Sequence, residues 1–322
     1  MTDFLSGACP VCTSTKFAIT GAAEPGEQIR NPTPPQIARC RECNSYFAEP
    51  LPVWSPSDFQ LLYDGSYFSQ VADGTPDEEE ATLRVRNVRF RYQKIVDYLA
   101  CEPTSALEIG AGVQAFMAVH LTSIGWRDVV VQEPSVELAQ TLSEKYPKLR
   151  VITSDFISST SKSYSLFYAD SVLEHTPNPR DYVTKISQIL EPGGIAYCVV
   201  PAEDSLFNFV KNLLFKIRRS KKVSQLCPYT DSYHLIGFSE QGLRHMAAEA
   251  GLELVFYLRG RDDSWSRVLK NRRLRSPLVR YFIATVLTAA DKIGWGRNQE
   301  FMFKKPSAKS AVMASPARHS TP

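Results

Sequence analysis

The stretch Ala106-Leu-Glu-Ile-Gly-Ala-Gly-Val-Gln-Ala-Phe116 decides how the rest of the chain is read. A short apolar run meets two closely spaced glycines and passes into a helical pattern. In open α/β sheets ligands bind beyond the carboxyl ends of the strands, and glycine there lets a ligand approach the backbone and the next helix N-terminus. Read literally, Gly110-Ala-Gly112-Val-Gln-Ala115 satisfies the dinucleotide pattern G-x-G-x-x-G/A, which is weak evidence alone. Glu108 points elsewhere. A carboxylate two residues before the first glycine repels a pyrophosphate and suits a cationic ligand.

Downstream, apolar runs at 106–109, 128–132, 149–153, 165–169, 195–200 and 252–258 alternate with helical patterns at 115–124, 135–146, 180–190 and 239–250. That order predicts an α/β fold with a doubly wound, mostly parallel seven-stranded sheet, closed by a last strand near 300–305 that runs antiparallel. Upstream, Val85, Val88, Tyr92, Ile95 and Leu99 recur at helical intervals after the acidic run Asp77-Glu-Glu-Glu80, where acids favour a helix start. The chain divides into a cysteine-bearing module at 1–52, a linker or lid at 53–83, the α/β domain at 84–306 and a Ser/Ala/Pro-rich tail at 307–322 expected to be disordered.

The motifs around the turn carry a resemblance. Glu108-x-Gly110-x-Gly112 resembles the first motif of class I S-adenosylmethionine-dependent methyltransferases, with Gln114 in place of a third glycine. The resemblance implies a Rossmann-like fold whose glycine turn lies under the methionine part of S-adenosylmethionine, with Glu108 holding its amino group directly or through water. It also places Glu133, 21 residues beyond Gly112, on the ribose hydroxyls, Asp155 on the adenine amino group and Phe156 beside the adenine ring. Asp170-Ser-Val-Leu-Glu-His175 and Leu190-Glu-Pro-Gly-Gly194 resemble further segments of the family, with Asp170 at the cofactor edge. Pro192-Gly-Gly194 reads as a turn that hands a helix over to the fifth strand.

Cys9-Pro-Val-Cys12 and Cys40-Arg-Glu-Cys43 have zinc-knuckle spacing, each pair presenting two thiolates to one ion. Four thiolates leave no open position, so the zinc is read as structural, folding a ribbon too small for its own core. This N-terminus resembles that of bacterial class I methyltransferases of glycan and lipid-linked saccharide pathways. In those proteins a segment like Tyr63-Asp-Gly-Ser-Tyr67-Phe68 forms part of a lid, which puts Tyr67 against the cofactor; docking of the linker is the other reading.

Methyl transfer needs alignment of the nucleophile and, for a hydroxyl, a base. His175 and His234 are the candidates, after the fourth and fifth strands. Ser171 stands where some quinone O-methyltransferases carry the first carboxylate of a metal motif, which argues against magnesium. Segments 211–222 and 264–280, within insertions near 207–232 and 260–298, each carry six basic residues without an acid among aromatics and leucines. They suit an anionic membrane surface or a pyrophosphate-linked saccharide, and solvated helix faces are the plainer alternative. The expected reaction is O-methylation of a small-molecule or lipid-linked saccharide acceptor. The alternatives are an RNA methyltransferase, disfavoured by a ribbon poor in Lys and Arg, and a non-catalytic module of the same fold. Neither the first residues nor any 18-residue apolar run marks a leader or a span, and the formal net charge is only +3, so a cytoplasmic place is expected, peripheral at most on the membrane.

Overall fold

The computed structural model describes residues 3–5, 7–23, 35–53, 78–112, 114–153, 156, 162–226, 234–260 and 276–307. The N-terminal module contributes β1 (Asp3–Leu5), β2 (Phe17–Ala23), β3 (Gln36–Cys40), β4 (Tyr46–Glu49) and β5 (Leu51–Val53). The long helix α1 (Glu78–Tyr98) follows. Then come β6 (Ser105–Ile109), α2 (Phe116–Ser123), β7 (Asp128–Gln132), α3 (Val136–Lys145), β8 (Arg150–Ile152), β9 (Tyr164–Asp170), α4 (Pro179–Ile189) and β10 (Leu190–Pro201). The domain ends with α5 (Leu206–Ile217), β11 (Lys222–Val223), β12 (Ile236–Gly237), α6 (Glu240–Glu249), β13 (Glu253–Arg259), α7 (Pro277–Lys292) and β14 (Asn298–Lys304).

The main sheet has seven strands in the order β13-β14-β10-β9-β6-β7-β8. Pairings among β8, β7, β6, β9 and β10 are parallel, and β14 is antiparallel to both β10 and β13. This is the expected doubly wound sheet. Strands β6, β9 and β10 are buried on both faces, which is why they read as continuous apolar runs rather than alternating ones.

Pro192-Gly-Gly194 corrects one expectation. The segment is not a turn before the strand but an irregularity inside β10, whose register with β9 shifts between Leu190 and Ile195. Gly193 has φ 85°, and a Cβ there would meet the Ala100 carbonyl oxygen at 2.9 Å. Only glycine fits both demands.

The cysteine module is not a free-standing knob. Its strands form a five-stranded sheet in the order β11-β2-β3-β4-β12, whose outer members come from the α/β domain. Its core side chains Val11, Ile37 and Phe47 belong to one cluster with Phe238, Leu243 and Met246. Asn44 also bonds Gln241, and Ser45 meets Ser239, so the module leans on the start of α6. A unit this small gains most of its burial from that contact.

Helix α1 is fastened by a buried cation that the sequence pattern hides. Arg91 donates to Glu300 from Nε and Nη2 at 3.3 and 3.1 Å, and from Nη1 to the Tyr168 hydroxyl at 2.7 Å and Asp170 Oδ2 at 2.6 Å. The Tyr197 hydroxyl donates to the other Glu300 oxygen. One guanidinium thus joins α1 to β9 and β14. Removing one partner of a buried pair leaves an uncompensated charge, at a cost of about 3–5 kcal/mol. Arg91→Met should therefore lower the unfolding free energy by that much in denaturant titration, and a second change, Glu300→Gln, should recover part of the loss in the same measurement.

A candidate active site at the carboxyl edge of the sheet

A cavity of about 510 Å³ opens where β6, β9 and β10 end, bounded by α1 on one side and the first turn of α5 on the other. Its size is that of a small-molecule site. The glycine turn forms its floor, with Gly110 at φ 62° and Gly112 at φ 56°. A Cβ on Gly110 would meet Val172 Cγ2 at 2.6 Å, so the loops after β6 and β9 can close on each other only around glycine. Gln114 stands where the three-glycine form has its last glycine. Its side-chain oxygen accepts from Lys145 Nζ at 2.9 Å on the exposed side of the turn.

Glu108 lines the cavity from the end of β6 while it accepts the Ala118 N–H at 2.6 Å. That amide belongs to the first turn of α2, where N–H groups lack intrahelical partners. The helix N-terminus that would cradle a phosphate is thus committed to the protein's own carboxylate. Burial pushes Glu108 up to about 8, against the pull of that amide. Glu133 is buried just after β7 and does not line the cavity. Its oxygens accept from Gly112 N at 3.1 Å and Ser135 N at 3.2 Å, fixing the glycine turn to the end of β7, and burial pushes it up to about 7. Each oxygen keeps a further lone pair.

Asp170 and Ser171 end β9 at the cavity wall, with Ser171 in the left-handed region at φ 59°. Asp170 is already paired with Arg91, which itself lines the cavity. Glu203, directly after β10, is a cavity residue that sequence reasoning missed. It accepts from Asn208 Nδ2 and the Leu226 amide, and burial pushes it up to about 7. Its signal was the polar Glu-Asp pair after the apolar run of β10, at the edge where ligands bind. Arg91 gave less signal, since it sits among other arginines on α1.

His175 and His234 come together although they lie far apart in sequence. Their rings are 5.0 Å apart at 70°, and both Nε2 atoms approach Glu174 Oε1, at 3.8 and 3.9 Å. His234 lines the cavity, and burial together with its neighbour His175 pushes it down, so it is neutral. Phe156 takes another place than expected. It is 2% exposed, packed at 5.3 Å from Phe167 and 5.4 Å from Tyr182 in the core beneath β9, not beside the cavity. Asp155 and Tyr67 lie outside the described residues.

Away from the cavity, the four cysteines gather as expected. Cys9 Sγ lies 3.7 Å from Cys43 Sγ, Cys12 Sγ lies 3.5 Å from Cys40 Sγ, and all four sulfurs fall within 4.8 Å of one another. A tetrahedral zinc with bonds of about 2.3 Å separates its sulfurs by about 3.8 Å, so the set fits that ion.

Comparison with known proteins agrees with this architecture. The family described as "Methyltransferase domain" matches residues 84–256. No curated protein sequence matches the chain. Among solved structures, the [4+2]-cyclase SpnF is similar at 13% identity over 80% of this chain and 99% of that one, with a TM-score of 0.54. The geranyl diphosphate C-methyltransferase from Streptomyces coelicolor A3(2) is similar at 14% identity over 75% of this chain and 85% of that one, with a TM-score of 0.47. The cyclopropane synthase MmaA2 from Mycobacterium tuberculosis gives 14%, 77% and 94%, with a TM-score of 0.45. With more than half of the chain inside the family match and the seven-stranded sheet in place, the chain belongs to the methyltransferase-domain family and is a class I methyltransferase.

Proposed function

We propose that the chain transfers the methyl group of S-adenosylmethionine to a hydroxyl of a saccharide or lipid-linked saccharide. The observation that supports this cofactor most directly is the use of the α2 N-terminus by Glu108, which denies a pyrophosphate its amides and leaves carboxylates facing the cavity. A ligand with an ammonium and a sulfonium is favoured there, and a dinucleotide is not. Glu108 and Asp170 stand as acceptors for the amino group. The free lone pairs of Glu133 suit the ribose diol, and the assignment of Asp155 to the adenine and Tyr67 to the lid rests on the family resemblance.

The cofactor supplies an activated methyl group on a sulfonium. Protein residues have to align the acceptor in line with it, keep water out and take a proton. His234 faces the cavity as a neutral imidazole beside His175, so this pair is placed to handle the hydroxyl proton. The four ribbon thiolates hold a structural zinc, whose work is to keep β3 and β4 in register for the pairing with β12.

The saccharide and its lipid link rest on the N-terminal resemblance and on one surface. Helix α5 begins at the cavity and exposes Phe209, Leu213 and Ile217, with Lys211, Lys216 and Arg218 on the same helix and its end. Helix α7 packs near it and exposes Leu278, Tyr281 and Phe282. No helix among the described residues is long and apolar enough to cross a membrane. An apolar face edged with cations lies well at an anionic interface, where it would bring a lipid-borne acceptor to the cavity mouth.

Calorimetric titration with S-adenosylhomocysteine should show micromolar binding and NADH none, with Glu133→Ala weakening the former at least tenfold; binding of NADH alone would reverse the reading. The ligand-free protein carries a pH signature as well. Because Glu108 and Glu133 are raised above their unfolded values, the folded state holds protons that the unfolded state releases, and stability falls as pH rises from about 4.5 through 8. Glu108→Gln should flatten that fall, by an amount on the order of 2 kcal/mol between the ends of the window, in thermal unfolding scans. In co-sedimentation, vesicles containing anionic lipid should retain the protein and zwitterionic ones should not. Phe209→Asp with Phe282→Asp should abolish the retention while cofactor binding persists.

A further inference from the structure

Glu174 is 0% exposed, yet neither of its carboxylate oxygens has a hydrogen-bond partner among the described residues. A buried carboxylate in that condition is costly, and such groups are paired, protonated or bound to a metal. Among the described residues the basic groups beside it are the two imidazoles, and at 3.8 and 3.9 Å their Nε2 atoms stand beyond hydrogen-bond distance from Oε1. One ligand atom from each of Glu174, His175 and His234 lies within 4.8 Å of the other two. Three donor atoms facing one another at that spacing, with no bond between them, describe the surroundings of an ion better than a proton relay.

We propose that Glu174, His175 and His234 bind one divalent transition-metal ion at the cavity wall, apart from the ribbon thiolates. Two imidazoles and one carboxylate favour zinc, cobalt, manganese or iron over magnesium, which prefers an all-oxygen set. Bonds of about 2.1 Å in a tetrahedral site would set the donor atoms about 3.4 Å apart, which closes the two carboxylate–imidazole separations of 3.8 and 3.9 Å by side-chain rotation. Asp170 and Glu203 add negative potential at Glu174, which favours a cation.

The backbone holds the three ligands for this purpose. Glu174 and His175 share the single turn after β9, while His234 comes from the segment before β12. The Leu235 amide donates to the Glu174 carbonyl at 2.7 Å, and the Leu235 carbonyl accepts from Ala48 of β4 at 2.9 Å. The ribbon therefore fixes His234 against Glu174. Three protein ligands leave a position open, and His234 puts that side of the site on the cavity.

The ion's role rests on the O-methyl-transfer reading, but its binding does not. A hydroxyl at the open position would become acidic enough to lose its proton to solvent near neutral pH. The new C–O bond would then form as the C–S bond of the cofactor breaks, and the two histidines would serve the hydroxyl proton through the ion they hold, which replaces direct uptake by the pair.

The test is metal uptake by the purified full-length protein, washed with a mild chelator until only tightly held zinc remains and then titrated with Co2+. Wild type should keep about one zinc and take up about one cobalt, with ligand-field absorption and no thiolate charge-transfer band. Glu174→Gln and His234→Ala should each lower the cobalt affinity at least tenfold while the zinc and the binding of S-adenosylhomocysteine persist. If Glu174→Gln fails to fold, the cavity-facing His234→Ala decides alone. Wild type that takes up no second ion, or variants that take it up equally well, would overturn the site. Binding of S-adenosylhomocysteine without a second metal would sink this inference and leave the methyltransferase reading intact, whereas metal uptake without cofactor binding would do the opposite.

Discussion

A buried carboxylate must be matched by donors, and the architecture of this protein follows from how each one is matched. Glu300 is matched by Arg91, which draws α1 across the sheet to β14. Glu108 is matched by the first amides of α2, which sets the angle at which that helix leaves the glycine turn. Glu133 takes the Gly112 amide and so locks the turn to the end of β7. Glu203 takes Asn208 and Leu226, tying β10 to α5 and to the segment after β11. Without these pairings each of these buried acids would stand unpaired, at a cost of several kcal/mol.

The same accounting separates structural acids from functional ones. Glu300 is satisfied on both oxygens, by Arg91 and Tyr197, and needs no ligand, whereas Glu203 takes both of its donors on one oxygen at the cavity wall. Glu108 takes an amide on one oxygen and Glu133 one amide on each, so both keep free lone pairs, and burial raises both toward neutrality, so a cationic or hydroxyl-bearing ligand improves their state. Glu174 has no hydrogen-bond partner on another described residue, and burial pushes it well above the carboxylate range.

What could be read from the chain beforehand is what local patterns encode. The apolar runs of β6, β9 and β10 and the glycine turn between β6 and α2 declare themselves within a few residues, so strand order and the position of the cavity were legible. Glu108 was legible as an acid at the ligand edge, though not its bond to α2. The four cysteines were legible by spacing, but the docking of their module was not. Its sheet borrows β11 and β12 from residues about 200 positions away, and two-residue strands have no period to detect. Arg91 and Glu300 lie 209 residues apart, and nothing in either neighbourhood marks the partner. Phe156 was placed by resemblance beside an adenine, whereas the gap between Phe167 and Tyr182 offered its ring a drier site.

The ribbon acquires its meaning from this geometry. A structural zinc folds a module that could have been dispensable to the chemistry, as small stabilising domains often are. Here the strand it stabilises, β4, pairs with β12 and accepts the segment that carries His234, and the same segment donates to the backbone of Glu174. Rigid β pairing on one side and a hydrogen-bonded turn on the other leave His234 little freedom to drift from the end of β9. A site held to a fraction of an ångström needs supports that are themselves rigid, and loss of the zinc would loosen β3 and β4 first. The cysteine module is therefore joined to the end of β9 through one strand pair, and none of its described residues lines the cavity.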